Sequence, residues 1–248
     1  MRGNPLLGIR YFGRGFSLLT NKGLKRFVAL PILINALLMT ALIYYGGGWL
    51  LDKIQWLVDW FPNWLSWLTW IITPVAALTL ISITLYFFSA VLNLVASPFN
   101  GLLSEAVETK IAGTEIPDET FPQLISRTLQ REMHKLGYFI PRYLGLLIIS
   151  FIPVVNIVSP VLWFVFGAWV LTLQFLDYAL DNNGHSFADL HTALRLQPLT
   201  TLGFGFVVGL GFMIPVVNLF VMPAAVCGAT LYWSEQIKAE FKPTLKSL

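Results

Sequence analysis

Charge disappears from this chain for long stretches and returns in short ones. No Asp, Glu, Lys or Arg occurs between Arg26 and Asp52, from Trp60 to Ser104, from Tyr143 to Leu176, or from Leu196 to Ser234. A helix crossing about 30 Å of hydrocarbon needs roughly 20 predominantly apolar residues. The first two blocks therefore predict membrane helices at 28–51 and 71–97. Pro31 falls in the opening turns of the first, where proline is tolerated or kinks the entrance, and Gly46-Gly47-Gly48 loosens its far end. Between them, Asp52 to Trp60 reads as an interfacial helix. Ile54, Leu57, Val58 and Phe61 share one side of it, and Trp56, Trp60, Trp64, Trp67 and Trp70 form a belt at the headgroup level that tryptophan favours.

The last two blocks repeat one another. Ile152-Pro153-Val154-Val155-Asn156 recurs as Ile214-Pro215-Val216-Val217-Asn218, and a second proline follows each copy, at Pro160 and Pro223. Each copy reads as a helix, a turn and a second helix. Two full crossings need about 40 residues, and each block falls short of that once its turn is subtracted. The pattern therefore fits two helical hairpins, 143–176 and 199–233, that enter the membrane part way and return. Irregular backbone at that depth has to be buried in protein or line a cavity.

Residues 105–142 gather Glu105, Glu108, Lys110, Glu115, Asp118, Glu119, Arg127, Arg131, Glu132 and Lys135. They read as polar helices outside the bilayer, broken at Ile116-Pro117-Asp118 and Phe121-Pro122, with helical composition but no strong apolar stripe over Ser126 to Lys135. Residues 1–27 hold Arg2, Arg10, Arg14, Lys22, Lys25 and Arg26 without an acidic residue, whereas the Asp52–Trp60 link holds only Lys53. The positive-inside rule then puts both termini and the middle segment in the cytoplasm. The expected fold class is an all-α integral membrane protein forming a single membrane domain.

Composition agrees: 56% of the residues are hydrophobic and 12% charged, with a mean hydropathy of +0.70, against roughly a quarter charged in soluble domains. The net charge of +3 is confined to short segments, which argues against a nucleic-acid partner. Cys227, the single cysteine, supports neither an intrachain disulfide nor a cysteine zinc site and reads as a small buried residue. The apolar block beginning near Phe27 is too long for a signal-peptide core and reads as a retained first helix.

Candidate chemistry is sparse. In Thr20-Asn21-Lys22-Gly23-Leu24-Lys25-Arg26 a capping residue, a glycine and cations coincide at the start of a membrane helix, where free N–H groups and the helix dipole favour an anion. The same cations would also serve as plain topology anchors. Asn93, Asn100, Asn156 and Asn218 are amides in or beside apolar segments, either joining helices or, with Asn156 and Asn218 at the hairpin tips, lining a polar path. Glu105, Arg142 and Asp177 stand at membrane borders, where a carboxylate–arginine pair would either gate an anion route or act as a structural bridge. No G-x-x-x-x-G-K-[ST], H-E-x-x-H or G-x-S-x-G motif occurs, and His134, His185 and His191 lack metal-ligand spacing, so neither enzyme, metal nor cofactor is expected.

Several motifs in order, Lys22-Gly23-Leu24-Lys25-Arg26-Phe27, Ser97-Pro98-Phe99-Asn100-Gly101-Leu102-Leu103-Ser104-Glu105, both Ile-Pro-x-x-Asn hairpins, Gln174-Phe175-Leu176-Asp177-Tyr178 and Cys227-Gly228-Ala229-Thr230, resemble the CysZ sulfate permeases over almost the whole chain. The resemblance implies a multi-pass protein of the bacterial inner membrane that admits sulfate for assimilation into cysteine. It also implies two long membrane helices, two partly penetrating hairpins and homo-oligomeric assembly. The implied sulfate site maps onto Gly23, Leu24, Lys25 and Arg26. Lys25 stands where the family commonly has arginine, which keeps the charge and loses bidentate geometry. Flux without an ATP motif is downhill or coupled to an ion gradient. A membrane scaffold or membrane-shaping protein is the rival reading of the same apolar pattern.

Overall fold

The computed structural model describes residues 3–21, 23–60, 62, 66–113 and 120–241. Every regular element among them is helical. The chain divides into two compact units, residues 29–96 and residues 1–28 with 97–248.

In the smaller unit, helical backbone continues from α2 (Lys25–Ala41) through a π-helical turn (Leu42–Gly46) into α3 (Gly47–Asp59). The widened turn ends at the glycine triplet, where no side chain resists it. Tyr44, Tyr45, Trp49, Trp56, Trp60 and Trp70 are exposed, and the Lys53 ammonium sits 5.9 Å from the Trp49 ring centre and 5.7 Å from that of Trp56. Of the expected interfacial face, Phe61 and Trp64 lie outside the described residues, as do the side chains of Leu57, Val58 and Trp67. α4 (Ser66–Ala112) is one unbroken 47-residue helix. The expected spans 28–51 and 71–97 thus fall on continuous helix, although the side chains at 28, 31–32, 35, 72 and 87–95 are outside the described set. Among the described residues, one stretch is long and apolar enough by itself to cross a bilayer, Val155–Asn182.

The larger unit is built around the second repeat. α1 (Pro5–Leu18) starts where the Asn4 side chain accepts the Leu6 N–H at 3.0 Å and Pro5 supplies a preset φ. It buries Gly8, Tyr11, Phe12 and Gly15 against α8 (Pro198–Phe212) and α9 (Pro215–Tyr232), the arms of the second hairpin. Contact is at backbone range: a Cβ on Gly15 would fall 2.2 Å from the Ala224 carbonyl oxygen. Small residues at such crossings are how apolar helices associate when burial in lipid offers no gain. α6 (Ser159–Asn182) packs on α8 in the same manner, and Leu173, Leu176, Leu180, Leu190, Leu194 and Phe204 fill the core between α6, α7 (Phe187–Leu196) and α8. Cys227 is fully buried, as its apolar surroundings in the sequence suggest. α7 and α8 meet at 103° across the break before Pro198.

The two copies of the repeat close alike and then diverge. The Asn156 N–H reaches the Ile152 carbonyl at 3.0 Å, and the Asn218 N–H reaches that of Ile214 at 2.8 Å. In the second copy Pro215 opens α9 directly and Pro223 lies inside it. In the first, α5 (Phe121–Phe151) ends before Pro153, a 3₁₀ turn (Val155–Val158) intervenes, and the second proline, Pro160, opens α6. The extra turn forces Val154 to φ 70°, a conformation that costs a β-branched residue about 1–3 kcal/mol. Val154→Gly is accordingly expected to raise the unfolding midpoint in detergent, by about 1 kcal/mol in stability.

Two features depart from the sequence expectation. α6 runs past the anticipated hairpin end at residue 176 to Asn182, because its acidic end is neutralised by α5. And α5 carries the charged segment straight into the apolar arm, without a break near residue 142. It starts at a Thr120–Gln123 capping box, with the Thr120 N–H donating to Gln123 Oε1 at 3.1 Å.

Candidate functional site

On α5, Arg127, Arg131 and Lys135 recur every four residues and so share one face. On α6, Asp177 and Asp181 do the same. The two faces meet. Arg131 donates to Asp177 Oδ1 from Nε at 2.9 Å and from Nη2 at 2.7 Å, and from Nη1 to the His185 carbonyl at 2.7 Å; Nη1 also lies 3.0 Å from Asp181 Oδ1. Arg127 donates to the Asp181 carboxylate and, at 3.0 Å, to its carbonyl. The Lys135 ammonium bridges Glu132 Oε1 at 2.7 Å and Asp177 Oδ2 at 3.2 Å, and stands over the Tyr178 ring. The formal charges of Arg127, Arg131 and Lys135 cancel those of Glu132, Asp177 and Asp181.

α4 completes the cluster. Ser97 Oγ donates to Glu132 Oε1 at 2.7 Å and lies 3.3 Å from the Tyr178 hydroxyl, which also accepts from Asn100 Nδ2 at 3.4 Å. Asn182 Nδ2 donates to the Gly101 carbonyl at 2.9 Å. Two turns further along α4, fully buried Glu108 takes Lys238 Nζ at 2.6 Å and Asn183 Nδ2 at 2.8 Å. Asp177 and Lys135 are each 1% exposed, a depth at which charges persist only when paired. Burial alone would depress the Lys135 pKa; attraction to Asp177, with contributions from Tyr178 and Glu132, outweighs it, so the pKa is raised and the ammonium stays charged. A cavity of ≈ 10 Å³ among Arg131, Glu132, Lys135, Asp177 and Tyr178 has room for about one water. A cleft of ≈ 420 Å³ opens on the outer side of Arg127 and Arg131, with His134 and Ser186 on its walls.

The second site expected from the sequence lies where α1 hands over to α2. Gly23 adopts φ 106°, which an L side chain rarely takes. The Leu24 N–H donates to the Asn21 carbonyl at 3.2 Å, and the Leu24 side chain belongs to the buried core. Lys25, the first residue of α2, is exposed. Arg26 follows in the first turn, with its side chain outside the described residues, as is Lys22.

Of the remaining sequence candidates, Asn100 meets the Tyr178 hydroxyl and Asp177 meets Lys135, which stands over the same ring. Glu105 is half-buried on α4. Arg142 stacks 3.4 Å from the Tyr138 ring centre and donates to the Tyr138 carbonyl at 2.8 Å. Asn156 and Asn218 are exposed at the two hairpin turns. Arg131 and Lys135 were not singled out from the sequence, though the four-residue spacings on both helices carried the signal.

Every regular element among the described residues is helical and 56% of the chain is hydrophobic, a combination that suits a helical membrane protein. Its family follows from comparison with known proteins: residues 11–223 match the family model described as Sulfate transporter CysZ/Etoposide-induced protein 2.4, and the chain belongs to that family. One of the two proteins named in that description is a sulfate transporter.

Proposed function

We propose that this protein is a sulfate permease of the bacterial inner membrane that supplies sulfate for assimilation into cysteine, without ATP hydrolysis. It works as a homo-oligomer with both termini in the cytoplasm. The two long helices at 28–51 and 71–97 span the membrane, and hairpins 143–176 and 199–233 enter it part way, with the region 105–142 on the cytoplasmic side. Sulfate is held where Gly23 and Leu24 turn into Lys25 and Arg26, chiefly by the two cations since the Leu24 N–H is taken by the Asn21 carbonyl, next to a pathway through Asn100, Glu105, Arg142, Asn156, Asp177 and Asn218.

The observation that carries the sulfate site is the Gly23–Lys25 turn. A positive-φ glycine and a buried leucine fix the chain immediately before a helix whose first amides lack intrahelical acceptors. Two consecutive cations then open that helix, and an oxyanion matches both the dipole and the charges. Membership in the family supports sulfate as that oxyanion.

The test is radiolabelled sulfate uptake into proteoliposomes. Wild-type protein is expected to exceed empty liposomes, and Lys25→Ala/Arg26→Ala, folded by its tryptophan emission, to fall about tenfold or more, the scale of one lost charge-assisted contact. Lys25→Arg should keep uptake and tighten sulfate binding through a bidentate fork. If wild-type protein takes up nothing the permease reading fails, and equal uptake by the double variant moves the site elsewhere.

A further inference from the structure

α5 carries its ion pairs on one face and a continuous apolar stripe on the other. Ile125, Leu129, Met133, Leu136 and Ile140 follow one another in steps of four and three, the spacing of a single helix face. Each is between 41% and 60% exposed. The stripe lies within the charged segment, and no charged side chain crosses it: Arg127, Arg131 and Lys135 turn to α6, and Glu132, on the edge of the stripe, is tied to Lys135 and Ser97. It continues without a gap into Leu144, Leu147 and Phe151 on the arm of the first hairpin, and then into exposed Ile152, Val154 and Ile157 at the hairpin turn.

We infer that this face of α5 is a lipid-docking surface. The charged segment lies on the membrane along Ile125, Leu129, Met133, Leu136 and Ile140 before the same helix dips in with its arm. Continuity selects the occupant. A face for a second protein copy is an apolar patch closed by a polar rim. This stripe is open at its residue-151 end and merges with the apolar tip of a hairpin. Its length from 125 to 151, about 39 Å at 1.5 Å per residue, suits a helix tilted through the headgroup region into the acyl chains. Interfacial helices bury such a face roughly 5–10 Å deep while their polar side stays wet. Here the polar side is occupied by the ion pairs to α6. α5 would thereby hold the buried Arg131–Asp177–Lys135 cluster at a fixed height relative to the headgroups.

The inference rests on the proposed entry of the first hairpin into the membrane, which Leu147→Cys tests separately, and does not depend on the transported ion. Single cysteines are placed in a Cys227→Ala background, since the native thiol is fully buried. Leu129→Cys, Leu136→Cys and Ile140→Cys test the stripe, His134→Cys the polar flank, and Leu147→Cys the hairpin arm. Each is labelled with an environment-sensitive fluorophore in nanodiscs of phosphatidylethanolamine and phosphatidylglycerol, then quenched by spin-labelled lipid or by iodide. The stripe positions are expected to be quenched about twofold or more by shallow spin label relative to iodide, as a face at headgroup depth requires. His134→Cys should show the reverse, and Leu147→Cys should respond to the deeper label. Iodide access at 129 and 136 equal to that at 134 overturns the proposal. Protection from both quenchers, with bismaleimide cross-linking of Leu136→Cys between copies, overturns it in favour of a second chain.

Discussion

Asp177→Ala is expected to destabilise the protein by about 3–5 kcal/mol, the cost of leaving a buried charge without its partner. Asp177 accepts two hydrogen bonds from Arg131 and one ion pair from Lys135. Arg131 keeps Asp181 and the His185 carbonyl after the change, but Lys135, 1% exposed, keeps Glu132 alone. Against a total of about 5–15 kcal/mol for a typical domain, the loss is a large fraction. A thermal scan of tryptophan emission in detergent should place the midpoint roughly 6–20 °C lower, at about 2–4 °C per kcal/mol for chains of this size. An unchanged midpoint would mean that the Asp177 carboxylate is not enclosed with these cations.

Whether the cluster serves transport as well as folding is separated by a second variant. Buried ion pairs exchanged for apolar groups of similar volume are often neutral or stabilising. Asp177→Leu/Lys135→Met should therefore recover most of the midpoint lost by Asp177→Ala. Sulfate uptake that returns with stability marks the cluster as structural. A refolded variant that still fails to transport marks Asp177 as part of the pathway, where Asn100 already meets its neighbour Tyr178.

The sequence disclosed the elements that local chemistry dictates. Proline at 153, 160, 198 and 215 bounds helices because it lacks an N–H and presets φ, so the hairpins were legible from the repeat. The divergence at Val154 was not, since it depends on where the second proline opens the following helix. Asp177 stood out as a border carboxylate, but its partners Arg131 and Lys135 lie further back on α5, inside the segment read as extramembrane, and the border position of Arg142 on the same helix pointed there instead. That side chain is committed to Tyr138. The α5 stripe was hidden for a related reason: over Ser126 to Lys135 alone the charges dominate the pattern, and only the full helix to Phe151 shows one coherent apolar face. At Gly23 to Arg26 the turn was legible in the residue types, because positive φ is a property of glycine itself.

Backbone-range contacts leave no trace in hydropathy, and they give the second large effect. A Cβ on Gly205 of α8 would fall 1.7 Å from the Ala168 carbonyl oxygen of α6 and 2.7 Å from Thr172 Oγ1. Backbone cannot yield as a flexible side-chain end can, so Gly205→Ala has to push the two helices apart. Separation stretches the bond from the Thr172 hydroxyl to the Thr201 carbonyl, now 2.6 Å, and loosens Leu173, Phe204 and Val208 in the core. Overpacking costs about 1–3 kcal/mol, and an interhelical hydrogen bond adds about 0.6–1.7 kcal/mol, giving about 2–5 kcal/mol in total. Gly167→Ala on α6 meets nothing within 4 Å and should be neutral or slightly stabilising, because alanine removes unfolded-state freedom without a clash. Denaturation midpoints of the two variants, measured side by side, make the comparison internal. If Gly205→Ala unfolds where Gly167→Ala does, α6 and α8 do not touch at backbone range. If it unfolds well below, the hairpin arms are held by glycine at the crossing.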